Sequence, residues 1–177
     1  MSKLKLPEVE QAFVRYNKRV IKAARATLTR EGRNVTKAMY NSLGYTFQAF
    51  PNSIQNNFVG SFYADFQDKG VKGNQSSDRA PDSPYSFKSA TSMVPFSEIL
   101  KWVTARRFQF RDRNSGRFMS YNSTAFLIAR SIPKKGLKAT KFLSRHAIAN
   151  VDKLAKELKE AFSIDFGKAL LDDKIRF

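Results

Sequence analysis

The sequence predicts a mixed α+β chain, and three observations lead there. Apolar residues recur at steps of four and three over Val9, Phe13, Tyr16, Val20, Ala24 and Leu28, and again over Leu143, Ala147, Val151, Leu154, Leu158 and Ala161. That spacing belongs to helices that each bury one face. Residues 45–50 alternate instead, with Tyr45, Phe47 and Ala49 on one side, as a half-buried strand does. A second antiparallel signal surrounds Arg113-Asn114-Ser115-Gly116, where Gly116 suits the left-handed position after a tight turn.

Composition narrows the function classes. A chain of 177 residues that is 42% apolar has enough material for one domain with a real core. Its formal net charge of +17 favours polyanions or acidic protein surfaces as partners. Cysteine is absent and His146 is the sole histidine, which argues against thiol chemistry and histidine-based metal sites. No apolar run reaches membrane-spanning length, so no membrane partner is expected. The first residues lack the apolar core of a secretion signal, and a cytosolic product is expected.

Taken in order, Pro7 fits the first turn of a helix, Glu8 and Glu10 suit its positive end, and Gly32 ends it. Arg15, Lys18, Lys22 and Arg25 form a basic stripe on this helix, either a solvated face or a surface turned to DNA or an acidic neighbour. Asn34 is placed to cap a short helix over 35–43, stopped by Gly44. The strand 45–50 breaks at Pro51, and residues 57–61 return beside it. Residues 61–69, ended by Gly70, either extend the strand or form one helical turn, and the turn is favoured. Residues 71–92 are polar and rich in chain breakers, hence a long loop, mobile in the isolated subunit and ordered in an assembly. Tyr85 and Phe87 are its apolar anchors, expected at a subunit interface.

A helix over 95–107 turns Phe96, Ile99, Leu100 and Val103 inward, with Trp102 beside them. The hairpin that follows holds Arg111, Arg113 and Arg117 among Phe108, Phe110 and Phe118. So many arginines are costly to bury unpaired, and so many phenylalanines are costly to leave in water. A projecting hairpin that contacts a neighbouring subunit satisfies both. Ser123 caps a short apolar helix over 125–129, which Pro133 and Gly136 break. Thr140 then caps a long helix whose inward face is the second apolar series above. The corner between these helices carries Lys134, Lys135 and Lys138 without an acid, a third candidate surface for DNA or an acidic partner. Residues 163–167 bend the chain before a last helix over 168–175.

The common catalytic patterns do not appear in these residues. Neither a phosphate-binding glycine loop nor a Gly-x-Ser-x-Gly elbow is present. His146 has no orienting acid nearby in sequence and reads as a packed side chain. Asp65 and Asp68 lie one helical step apart, but Lys69 would repel a cation there. An enzyme is not expected, and neither is a cofactor.

Two stretches, Tyr63-Ala64-Asp65-Phe66-Gln67-Asp68-Lys69-Gly70 and Ala129 through Gly136-Leu137-Lys138-Ala139-Thr140-Lys141-Phe142-Leu143, resemble tail-completion and neck proteins of tailed bacteriophages. Asn41-Ser42-Leu43 matches a small-polar step that follows the basic N-terminal helix in that family. The order of these motifs covers most of the chain. The resemblance implies one virion-type domain over 1–177, with helices packed on one side of a small antiparallel sheet. It marks residues 71–121 as an insertion that carries the mobile loop and the projecting hairpin. It further implies a homo-oligomeric ring at the virion neck or tail, made in the host cytoplasm and joined to portal or adaptor and tail proteins. Positive charge suits a ring through which double-stranded DNA passes. A free basic nucleic-acid-binding protein and a scaffold for an acidic host protein are the competing readings.

Overall fold

The computed structural model describes residues 6–33, 37–50, 53–89 and 94–174, with backbone alone for 172–174. In chain order these form α1 (Pro7–Arg30), α2 (Ala38–Ser42), β1 (Gly44–Phe50), β2 (Ser53–Val59), α3 (Ala64–Lys69), β3 (Val71–Lys72), α4 (Phe96–Ala105), α5 (Tyr121–Lys135), β4 (Gly136–Leu137), α6 (Ser144–Ala149) and α7 (Val151–Lys174). The fold is mixed α+β, with two small antiparallel sheets, β1–β2 and β3–β4. Where one domain over 1–177 is expected, the chain gathers into two compact units. The first comprises Met1–Asn34, Ala38–Ser61 and Phe142–Phe177, the second Val35–Lys37 and Phe62–Lys141. The segment 71–121 forms the middle of the second unit.

In the first unit α1 is the central element. Of the expected series Val9, Tyr16, Val20, Ala24 and Leu28 are buried along it and Phe13 is half-buried, while Ala12, outside the series, is buried as well. Each large aliphatic side chain so buried contributes about 1.5–3 kcal/mol of transfer free energy. The β1–β2 hairpin lies on α1: Phe13 meets Phe47 with ring centroids 5.3 Å apart, and Tyr16 meets Phe58 at 6.0 Å. The register pairs Tyr45 with Phe58 and Phe47 with Asn56, so these residues share one face of the sheet. Asn17, fully buried on α1, exchanges two hydrogen bonds with Asn56, at 2.7 and 3.0 Å. The hairpin's return strand begins at Ser53, earlier than expected.

Helix α7 packs along α1 through Leu158 and Ala161, which join Val9, Ala12 and Phe13 in one cluster. Arg19 adds a bidentate pair to Glu157, at 2.9 and 3.1 Å. The expected long helix differs in three respects. It starts at Ser144 rather than after Thr140, it breaks at Asn150, and it runs through Gly167 without the expected bend. The break shifts the helical phase. Val151 is therefore exposed and Leu154 and Leu158 are half-buried, as is Leu143 before the break, and among the described residues of α7 the buried positions are Ala161 and Asp165.

The second unit is built around a close backbone crossing. Strand β3 pairs with β4, Val71 opposite Leu137 and Lys72 opposite Gly136. A Cβ on Gly136 would lie 2.3 Å from the Val71 carbonyl oxygen, and one on Gly73 would lie 2.1 Å from that of Lys134. Only glycine permits backbones this near. Helix α5 runs through Pro133, which was expected to break it, and stops at Gly136. Pro133 lacks the N–H that would bond the carbonyl four residues before it, and because it sits in the last turn that loss falls at the end of the helix rather than in its middle. The terminal carbonyls of Pro133 and Lys134 accept from the Asn74 and Gln75 N–H groups, at 2.8 and 3.0 Å. The helix starts earlier than expected too, with Ser120 rather than Ser123 as its cap.

Much of the described part of the segment expected as a loop makes hydrogen bonds within its own unit. Lys72 N–H donates to Tyr85, Phe87 N–H donates to Lys72, and the buried Ser83 hydroxyl donates to Gly70, at 2.7 Å. The Thr140 hydroxyl, expected as a helix cap, donates to the Gln67 carbonyl at 2.8 Å, and Lys141 N–H donates to Asp68 at 2.9 Å. The two stretches that carry the phage resemblance therefore meet at one crossing. The cap expected at Asn34 and the break expected at Pro51 lie outside the described residues.

Candidate interaction surfaces

In the second unit α4 ends at Ala105, and the backbone reverses through Arg107, whose φ is +51°. This reversal lays Phe108 beside Trp102, with centroids 6.4 Å apart, and Phe110 against Phe108 at 5.2 Å. The Arg106 guanidinium stands 5.2 Å over the Trp102 ring, and that of Arg111 stands 4.6 Å over Phe118. Such stacking lets an arginine stay charged beside an apolar surface. The expected hairpin is smaller than two full strands. One bridge, Arg111 with Phe118, is closed by hydrogen bonds between Asp112 and Arg117 and between Met119 and Phe110.

Asp112 organises the turn. Its carboxylate accepts from the Ser115 N–H and hydroxyl and from the Asn114 N–H, at 2.8 to 3.0 Å. These bonds, the Ser115 N–H first, hold its pKa below the usual carboxylate value. Gly116 completes the turn at φ +67°. Phe118 is 62% exposed, Phe108 41% and Phe110 37%. Arg111, Arg113 and Arg117 are exposed, and among the described residues they form no ion pair.

The basic stripe of α1 divides into two kinds of residue. Arg25 is structural: its guanidinium donates to the Tyr40 and Leu43 carbonyls, at 3.0 and 3.2 Å, and lies 4.9 Å over the Tyr40 ring. It thereby satisfies the C-terminal end of α2. Arg15 reaches toward Glu157 at 3.9 Å. Lys18 and Lys22 are exposed and, with Arg30, line an open groove of about 920 Å³ floored by Ile21 and Leu43. Beside it, Ser42 accepts from the Ser61 N–H and hydroxyl, so the Asn41-Ser42-Leu43 step sits in a bonded corner.

At the end of α5, Lys135 and Lys138 are exposed and Lys134 is half-buried. Tyr85 is engaged within its own unit. Its ring packs on Phe66 at 4.6 Å, and its hydroxyl donates to the Asp65 carboxylate, which also pairs with Lys69. Asp65 is held below its usual pKa, by Tyr85 first, so its acceptor capacity serves the fold rather than a cation. Phe87 is half-buried beside it in sequence. The structure thus assembles Phe108, Phe110 and Phe118 with the arginines, and places Tyr85 and Phe87 in a separate docked segment. Among the described residues no cluster of metal-ligating side chains occurs, and no helix is long and apolar enough to cross a membrane.

His146 is half-buried, with Nε2 2.9 Å from the Thr27 hydroxyl. Burial first, then the Arg145 and Arg30 charges, push its pKa below the usual 6.5. At neutral pH the native ring is therefore held in its neutral form. Its contribution is complete above the unfolded-state pKa and declines as pH falls from about 6.5 toward the lower native value. Melting of the wild type should drop between pH 7.5 and 5, and the drop should shrink in His146→Gln. An equal drop in both would assign the effect to other groups.

Sequence reading missed the exposed apolar side of α7, including Phe162, Phe166 and Leu170. The signal was present as a repeat of four, hidden by the bend expected at Gly167. No protein-family model, curated protein or solved structure matches this chain.

Proposed function

We propose that the chain is a ring-forming structural protein of the neck or tail-completion type in a tailed-phage virion, joining head and tail around the DNA channel. The observation that carries this reading is the surface from Trp102 to Phe118, where exposed aromatic rings alternate with arginines that form no ion pair among the described residues. A side that must be covered by a neighbour has this chemistry: rings and Arg anchor, while charge selects the partner. The meeting of the two resembling stretches at the Gly70–Gly73–Gly136 crossing adds support, since their residues serve one structural feature. The role is structural, with no reaction and no cofactor. Portal or adaptor and tail proteins are the proposed neighbours, and the exposed lysines give the DNA-facing charge.

The competing reading, a free nucleic-acid-binding protein, draws on the same arginines. Replacing Arg111, Arg113 and Arg117 together by Ser separates the two. The ring reading expects normal folding with impaired assembly, seen by light scattering and negative-stain imaging. Full assembly with weakened DNA binding would favour the competitor. The salt slope of log affinity would then flatten by about 0.9 for each phosphate no longer neutralised.

A further inference from the structure

The open groove of about 920 Å³ in the first unit joins cations and aromatic rings on one concave surface. Lys18, Lys22 and Arg30 line its α1 side, and all three are exposed. Among the described residues none of the three forms an ion pair, and no acid lines the groove. From Lys18 to Arg30 the helix rises about 18 Å, the length of several nucleotides at roughly 3.4 Å each. Tyr40 of α2 and Tyr45 of β1 line the groove as well, both half-buried, so part of each ring stays open. Arg25 sets this wall: it holds the Tyr40 and Leu43 carbonyls and lies over one face of the Tyr40 ring. The wall therefore stands before anything binds, which spares the cost of ordering it.

We infer that this groove binds a single strand of nucleic acid, with Lys18, Lys22 and Arg30 on its phosphates and the tyrosine rings on unpaired bases. The inference does not rest on the ring reading and holds for a free chain as well. Three cations without a partner or a neighbouring acid call for a polyanion. The tyrosines decide which one. Cations that track a backbone beside rings that stack on bases are what single strands require. A duplex keeps its base faces stacked inside and would meet only the cations. An acidic amphipathic segment of another protein would need apolar sockets for its anchors. The floor offers none, since Ile21 is only 8% exposed and Leu43 only 5%.

The test is fluorescence anisotropy of a labelled thymine oligonucleotide of about twelve nucleotides. A labelled blunt duplex of the same length and labelled polyglutamate are measured beside it. Because the whole chain carries +17, removal of charge needs a matched control. The groove variant carries Lys18→Gln, Lys22→Gln and Arg30→Gln. The control carries Lys153→Gln, Lys156→Gln and Lys159→Gln, all exposed on α7. The groove variant should flatten the salt slope of log affinity by about 2, at about 0.7 for each phosphate released, and the control by less than half as much. Tyr45→Leu should weaken the single strand at least about fivefold and leave the duplex unchanged, while Tyr45→Phe keeps the ring and stays near wild type. The groove and control variants change exposed side chains only, so they decide the matter even if Tyr45→Leu does not fold. Equal flattening in both would mean diffuse attraction and overturn the groove. A duplex bound as tightly as the single strand would overturn the single-strand assignment. Polyglutamate bound more tightly than the oligonucleotide, and lost in the groove variant, would give the groove to an acidic protein instead.

Discussion

Gly136→Ala should cost the second unit about 4 kcal/mol or more, a large part of the roughly 5–15 kcal/mol by which ordinary domains are stable. Two independent penalties combine. Gly136 has φ +76° and ψ 178°, a region that side-chain-bearing residues adopt only under strain of about 1–3 kcal/mol. A Cβ there would also press on backbone, at 2.3 Å from the Val71 oxygen and 2.5 Å from the Gly73 nitrogen. Those atoms belong to the β3–β4 crossing and cannot move without parting it. Gly116→Ala is the matched control. Its φ is +67°, but a Cβ would meet nothing within 4 Å. It should cost only about 1–2 kcal/mol for the left-handed backbone. Urea melts of both variants check the contrast. Equal losses would mean that the crossing opens to admit a methyl group.

The same crossing marks a limit of sequence reading. Pro133 and Gly136 were both legible as helix breakers, and both act in the last turn or just past it. Which one ends α5 depends on Asn74 and Gln75, whose N–H groups meet the helix end from about sixty residues away. No local pattern encodes that encounter. The loop over 71–89 reads as loose for the same reason, since its hydrogen bonds go to distant backbone. Local periodicity succeeded on α1, most of whose apolar series is buried, and for Tyr45 and Phe47 on β1, though Ala49 on the same side is exposed. It failed on α7, where Asn150 resets the phase and two apolar faces overlap in one repeat.

The candidate surfaces were legible in kind rather than in detail. Charge and aromatic content around Gly116 pointed to the Phe108–Phe118 surface, and the structure brings those residues together. Arg25 was indistinguishable in sequence from Lys18 and Lys22. Its planar guanidinium can satisfy two carbonyls at once, which a lysine ammonium does poorly. That difference shows only when Tyr40 and Leu43 are placed beside it.

Asp165→Ala should destabilise the first unit by about 3 kcal/mol, although Asp165 lies 157 residues from the helix it serves. Helix α1 begins Leu6-Pro7, and Leu6 at the cap position has no side-chain acceptor. Pro7 has no N–H, so the first free donors are those of Glu8 and Val9. Both point to the Asp165 carboxylate: Glu8 at 3.1 and 3.2 Å, Val9 at 3.0 Å. Asp165 is 3% exposed, and its charge faces the positive end of α1. Removing it strands two donors where water has little access, at about 1–3 kcal/mol each, partly offset by relaxation. Asp165→Asn keeps one acceptor oxygen and should lose less than Ala. Lys168 bonds Glu8 in solvent at 2.9 Å, so Lys168→Ala should change stability little by comparison. The expected order is therefore Ala at 165 worst, Asn at 165 next, and Ala at 168 near wild type. A loss under about 0.5 kcal/mol for Asp165→Ala in denaturant melts would show that water reaches this helix end after all.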